Sequence, residues 1–136
     1  MGAKPRAQPG RLSLQHCRKQ EWRAQIVEKW IPQTMQRKDL FGFGDIIVLD
    51  DQFGSLLVQA CVTSSGANRV RKILEECTEA AIDWLAAGNR IEVWGWAKRG
   101  AEGKRKLWTL KLYRIFLDDG ELKWDTETEN SVPSQN

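Results

Sequence analysis

Apolar residues recur at two periods along the chain, and the switches between them mark out its elements. After Pro9-Gly10, residues Leu14, Cys17, Ala24, Val27 and Ile31 keep three-or-four spacing behind Ser13, with Glu21 as the one polar interruption. This predicts one long helix, capped by Ser13, widened by Trp30 and ended by Pro32. A shorter helix followed by a strand near Ile26 is the alternative. Residues 38–41 read as a short strand, 42–44 as a bend between two buried phenylalanines, Phe41 and Phe43, and 45–49 as a second strand. Residues 50–54 turn the chain into a third strand, 55–62. Asn68 caps a second helix with Val70, Ile73, Leu74, Cys77, Ala81, Trp84 and Leu85 on one face, stopped at Gly88. Residues 91–97 and 106–116 alternate as two more strands, and Asp119-Gly120 turns the chain into a short last one, 121–124.

The α-β-β-β-α-β-β-β order, with a helical crossover between the third and fourth strands, predicts an α/β domain with a mixed β-sheet flanked by helices. The domain runs over residues 11–124, preceded by a basic flexible N-terminus (1–10). Residues 125–136 have only Val132 and Pro133 as apolar side chains, which predicts a disordered acidic tail.

Composition removes several function classes. The 136 residues suit one domain, and no apolar run approaches the roughly 20 residues of a membrane-spanning helix. No secretory leader is visible, so the expected compartment is the cytoplasm. Cys17, Cys61 and Cys77 form no Cys-x-x-Cys pair, which argues against a disulfide framework or zinc ribbon. His16 is the single histidine, so triads and most zinc sites have too few imidazoles.

The formal charge of +3 is unevenly spread: residues 1–38 hold nine Lys/Arg against two acids, and residues 117–136 one against six. A basic body of this kind is drawn to phosphate backbones, although basicity also serves solubility. Arg69, Arg71 and Lys72 open the second helix, where cations oppose the helix dipole, a local cost that suggests a use. Lys98, Arg99, Lys104, Arg105 and Lys106 sit on the hairpin between the fourth and fifth strands, near Trp94, Trp96 and Trp108, an arrangement suited to gripping a nucleic-acid backbone. One or two tryptophans are expected at a contact surface, with Trp30 and Trp84 in the core.

If Leu49 pairs with Ser55, the register puts Asp45 opposite Gln59 on one face, where both oxygens can meet one ion. Mg²⁺ takes one or two carboxylates and completes its shell with water and phosphate oxygens. The structural alternative is that Asp39 and Asp45 favour bends and Gln59 is a ladder amide. Residues 41–44, Phe-Gly-Phe-Gly, lack the spacing and context of a nucleotide loop.

The segments Arg37-Lys-Asp-Leu-Phe-Gly-Phe-Gly-Asp45, Val58-Gln-Ala-Cys61, Asn68-Arg-Val-Arg-Lys-Ile73, Trp84-Leu-Ala-Ala-Gly88 and Ile91-Glu-Val-Trp-Gly-Trp96 resemble a small group of phage and bacterial proteins related to the PD-(D/E)xK nuclease superfamily, near the Holliday junction resolvases. The resemblance spans about residues 11–116. It implies a restriction-endonuclease-like fold and a Mg²⁺- or Mn²⁺-dependent cut in DNA, with branched DNA as the candidate substrate and a homodimer as the candidate assembly. The motif aspartate falls on Asp45 and the acidic-x-Lys position on Gln59-Ala60-Cys61, so an amide replaces a carboxylate and a thiol replaces the lysine. In that reading Asp45, Gln59 and Asp39 hold the metal, Lys72 or Arg69 supplies the missing cation, and the 98–106 hairpin grips the backbone. The alternative is a catalytically inactive nucleic-acid-binding module of the same fold, and a third is a protein-interaction domain.

Overall fold

The computed structural model describes residues 8–52 and 54–129. Helix α1 (Pro9–Lys19) begins with Pro9 in its first turn, where a missing N–H costs nothing. Ser13 is therefore not its cap but a buried side chain inside it, accepting a 2.9 Å hydrogen bond from Trp96 Nε1. The single long helix is overturned and the shorter alternative holds: α1 stops at Lys19, and strand β1 (Arg23–Ile26) follows. Glu21 adopts φ 61°, while Glu21 N–H donates to Arg18 O and Trp22 N–H to Cys17 O. This pair of bonds around a left-handed residue ends helices in the Schellman manner.

Strands β2 (Lys29–Ile31) and β3 (Gln36–Lys38) form a separate two-stranded ribbon. The strand expected at 38–41 therefore lies earlier, and Leu40 makes only an isolated bridge to Gly44. Phe43 is buried, but Phe41 and Trp30 are exposed, contrary to their expected core positions. Strands β4 (Ile46–Asp50) and β5 (Gly54–Val62) pair antiparallel with Leu49 opposite Ser55, the expected register.

A 3₁₀ turn (Thr63–Ser65) leads into α2 (Gly66–Glu76) and α3 (Thr78–Ala86). The expected single second helix is thus two, broken at Cys77, and Asn68 lies within α2, where its Oδ1 accepts from Arg71 Nη2. Strands β6 (Arg90–Arg99), β7 (Leu107–Asp118) and β8 (Glu121–Glu129) complete the sheet. β8 continues through Glu129, so residues 125–129 are strand rather than tail; the expected tail beyond them and the N-terminus before Gln8 lie outside the described residues.

The six-stranded sheet has the order β1-β4-β5-β6-β7-β8, antiparallel except for β5 and β6. One face, with Ile46, Val48, Leu56, Val58, Trp94, Trp96, Leu110 and Leu112, packs under α1; the other, with Leu57, Cys61, Ile91, Val93, Tyr113 and Ile115, packs under α2 and α3. Alternation along each strand assigns its residues to the two cores. His16, on α1, sits edge-on among Trp22, Trp94 and Trp96 on that face of the sheet. No described helix is long and apolar enough to cross a membrane.

Candidate metal centre

Asp45 immediately precedes β4 and is fixed through its backbone on both sides. Its N–H donates to Val58 O and its carbonyl accepts from Val27 N–H, both at 2.8 Å. These bonds extend the β1-β4-β5 ladder by one step, so Asp45 is held opposite Gln59, and Glu28, one residue beyond Val27, is drawn to the same place. Asp39 arrives from the other side of the bend: Gly42 N–H donates to Asp39 O, and Leu40 N–H donates to Gly44 O. Gly44 allows this close approach, because a Cβ there would run into the Leu57 side chain.

The result is a cluster in which one carboxylate oxygen each from Glu28, Asp39 and Asp45 lies within 4.8 Å of the others. Sequence reasoning singles out Asp45 and Asp39 but misses Glu28, because the long-helix reading absorbs it in a helical repeat. All three are half-buried. Such a group of hard oxygen donors can hold a metal ion, and carboxylate oxygens are the donors that Mg²⁺, Mn²⁺ and Ca²⁺ prefer.

Burial pushes the Asp45 carboxyl up to about 8, against the hydrogen bond that its Oδ2 accepts from Ala60 N–H at 2.9 Å. Asp39, through a hydrogen bond and its charge, and Glu28, through its charge, raise it further. Without a cation, like charges so close hold one proton in the cluster; a divalent ion would remove the reason for that proton.

Gln59 shares the face of Leu57 and Cys61 and is 3% exposed. Its Oε1 is buried and has no hydrogen-bond partner among the described residues. A buried carbonyl oxygen left unsatisfied is costly, and on the strand position beside Asp45 it is an oxygen donor in want of a positive partner. The carboxylate oxygens of Glu28, Asp39 and Asp45 are a set that could hold a metal ion.

Arg69 and Asp45 both act electrostatically on buried Cys61, whose thiol burial pushes up to about 11. Lys72 and Asp39 both act on Cys77, whose thiol is raised mainly by burial. Arg69 is half-buried and Lys72 exposed. Arg37 is held by Glu28 through a 2.9 Å ion pair.

The β6-β7 hairpin lies past the end of β5 that feeds α2, so Lys98, Arg99, Lys104, Arg105 and Lys106, all exposed, belong to the same end of the sheet as Arg69. Lys98 Nζ sits 5.3 Å over the Trp108 ring. A groove of about 410 Å³ runs beside it, lined by Thr63, Ser64, Trp96, Lys98, Arg99 and Trp108 among others. Comparison of the chain with family models, with curated proteins and with solved structures finds no match, so the assignment of a function rests on these residues alone.

Proposed function

We propose that the protein is a divalent-metal-dependent DNA endonuclease with a restriction-endonuclease-like fold. The observation that carries the reading is the convergence of the Glu28, Asp39 and Asp45 carboxylates, next to the β5 position of Gln59, whose oxygen has no hydrogen-bond partner among the described residues. Two features support it further. The antiparallel β1-β4-β5 group, followed by the α2-α3 crossover to parallel β6, supports the reading. The exposed cations of the β6-β7 hairpin supply an electrostatic contact for phosphates at the same end of the molecule as Arg69.

In this reading Asp45, Asp39 and Glu28 hold Mg²⁺ or Mn²⁺, and Gln59 turns its oxygen to the same ion. When bound, the ion supplies Lewis acidity at a phosphate and a nucleophile at neutral pH. The chain's own contribution is placement. The ladder holds Asp45, Arg69 faces the attacked phosphate from α2, Lys72 adds a second cation, and Lys98 to Lys106 with Arg71 hold the backbone in register. Cutting both strands calls for a homodimer, and the three reduced thiols suit a cytoplasmic setting.

A second reading, a non-catalytic DNA-binding module, is favoured by one observation: Cys61 occupies the strand position where the resemblance calls for lysine, and its thiol is buried and protonated. Incubating the full-length chain with labelled four-way junction, duplex and single strand, with Mg²⁺, Mn²⁺ or chelator, separates the two. The expected result is metal-dependent cutting that Asp45→Ala reduces by about 100-fold or more. Salt-sensitive binding with no product under either metal would overturn the nuclease and leave the module.

A further inference from the structure

The β2-β3 ribbon springs directly from the acidic cluster: Glu28 precedes its first residue, Lys29, and Asp39 follows its last, Lys38. Apart from half-buried Ile31, every residue of its two strands is exposed, so the ribbon stands off the main sheet. Lys29 pairs directly across from Lys38, and Trp30 from Arg37. Two ammonium groups facing each other across a ladder oppose its formation, and an anionic partner relieves that cost. Trp30 is 49% exposed, and Met35, at the tip, is 72% exposed with φ 56°. A methionine in the left-handed region is held against its own preference, with its side chain given to solvent. Phosphate contacts have no use for these apolar groups.

We propose that this ribbon is a wedge that enters DNA where base stacking is already interrupted, with Lys29 and Lys38 on the flanking phosphates and Trp30 and Met35 against the opened bases. Apolar side chains inserted between base steps, supported by cations on the backbone, are a general means of holding distorted DNA, and an existing discontinuity removes most of the unstacking cost. The inference rests on the DNA-binding part of the reading above and assigns to named residues of the ribbon the recognition of interrupted stacking.

The test compares the full-length chain with the Trp30→Ala/Met35→Ala variant, whose substituted side chains are exposed and leave the core untouched. Fluorescence anisotropy in chelator measures affinity for a linear duplex and for a branched duplex with 2-aminopurine at the branch; the sedimentation profile and cleavage map of each protein are read alongside. The parent chain is expected to prefer the branched DNA by about tenfold or more and to change the 2-aminopurine emission. The variant is expected to lose both while its duplex affinity stays within about threefold. A variant that keeps the preference and the emission change overturns the wedge, as does one that loses self-association instead. Absence of any DNA binding overturns both readings. Preference lost in the variant, with no cutting by either protein, sustains the wedge and defeats the nuclease.

Discussion

Asp45 concentrates the chemistry of the site in one side chain. Its carboxyl is raised to about 8, first by burial and then by Asp39 and Glu28. In the unfolded chain it ionises at about pH 3.9. Between those values the unfolded state binds fewer protons than the folded one, so this group removes stability as pH rises from about 4 to about 8 and no more above that. An asparagine side chain at this position would keep an oxygen to accept from Ala60 N–H without the titration. In chelator, the difference in unfolding free energy between Asp45→Asn and the parent is therefore expected to grow with pH across this window, at up to about 1.4 kcal/mol per pH unit, with the variant the more stable at pH 8. Urea unfolding at several pH values checks it, and a difference independent of pH would contradict the raised carboxyl. Gln59 was legible as a partner of Asp45 because the register follows from one hairpin. That its oxygen is buried without a partner among the described residues is a property of the packed sheet and has no sequence signal.

At the scale of elements, legibility followed turn chemistry. Asp119-Gly120, with φ of 54° and 81°, makes the tight turn that such a dipeptide announces. The end of α1 is built with the same left-handed geometry but on Glu21, where glycine is the usual sign. The stop was concealed, Ala24, Val27 and Ile31 were drawn into a helical repeat, and Glu28 disappeared with them. The break at Cys77 was likewise hidden by continuous apolar spacing. The bend at 39–45 depends on close packing: Gly44 lies where any side chain would meet Leu57, itself fully buried. Gly44→Ala is expected to lower the unfolding free energy by about 1–3 kcal/mol, as overpacking does, and to weaken metal binding through displaced Asp39 and Asp45. Denaturant titration of the purified variant reads the first effect, and an unchanged midpoint would show that the loop does not need this contact.

Across the whole molecule, the sheet order assembles what the chain keeps apart. Glu28 follows β1, Asp39 follows β3, Asp45 immediately precedes β4 and Gln59 lies in β5; the β1-β4-β5 pairing sets Asp45 opposite Gln59, and Glu28 and Asp39 come to Asp45 from the two ends of the ribbon. The coarse architecture was readable from the order of periods, and the exposed basic hairpin from its composition. The opposite face is closed by an ion-pair series, Asp50, Arg90, Glu92, Arg114 and Glu127, with buried Glu92 also accepting from Trp94 Nε1. In this reading Glu28, Asp39 and Asp45 form one metal centre, which electron paramagnetic resonance of Mn²⁺ titrated into the full chain measures. One ion bound per chain, lost in Asp45→Ala and weakened in Glu28→Gln, is the expected result. Equal Mn²⁺ binding by the parent and Asp45→Ala would contradict it.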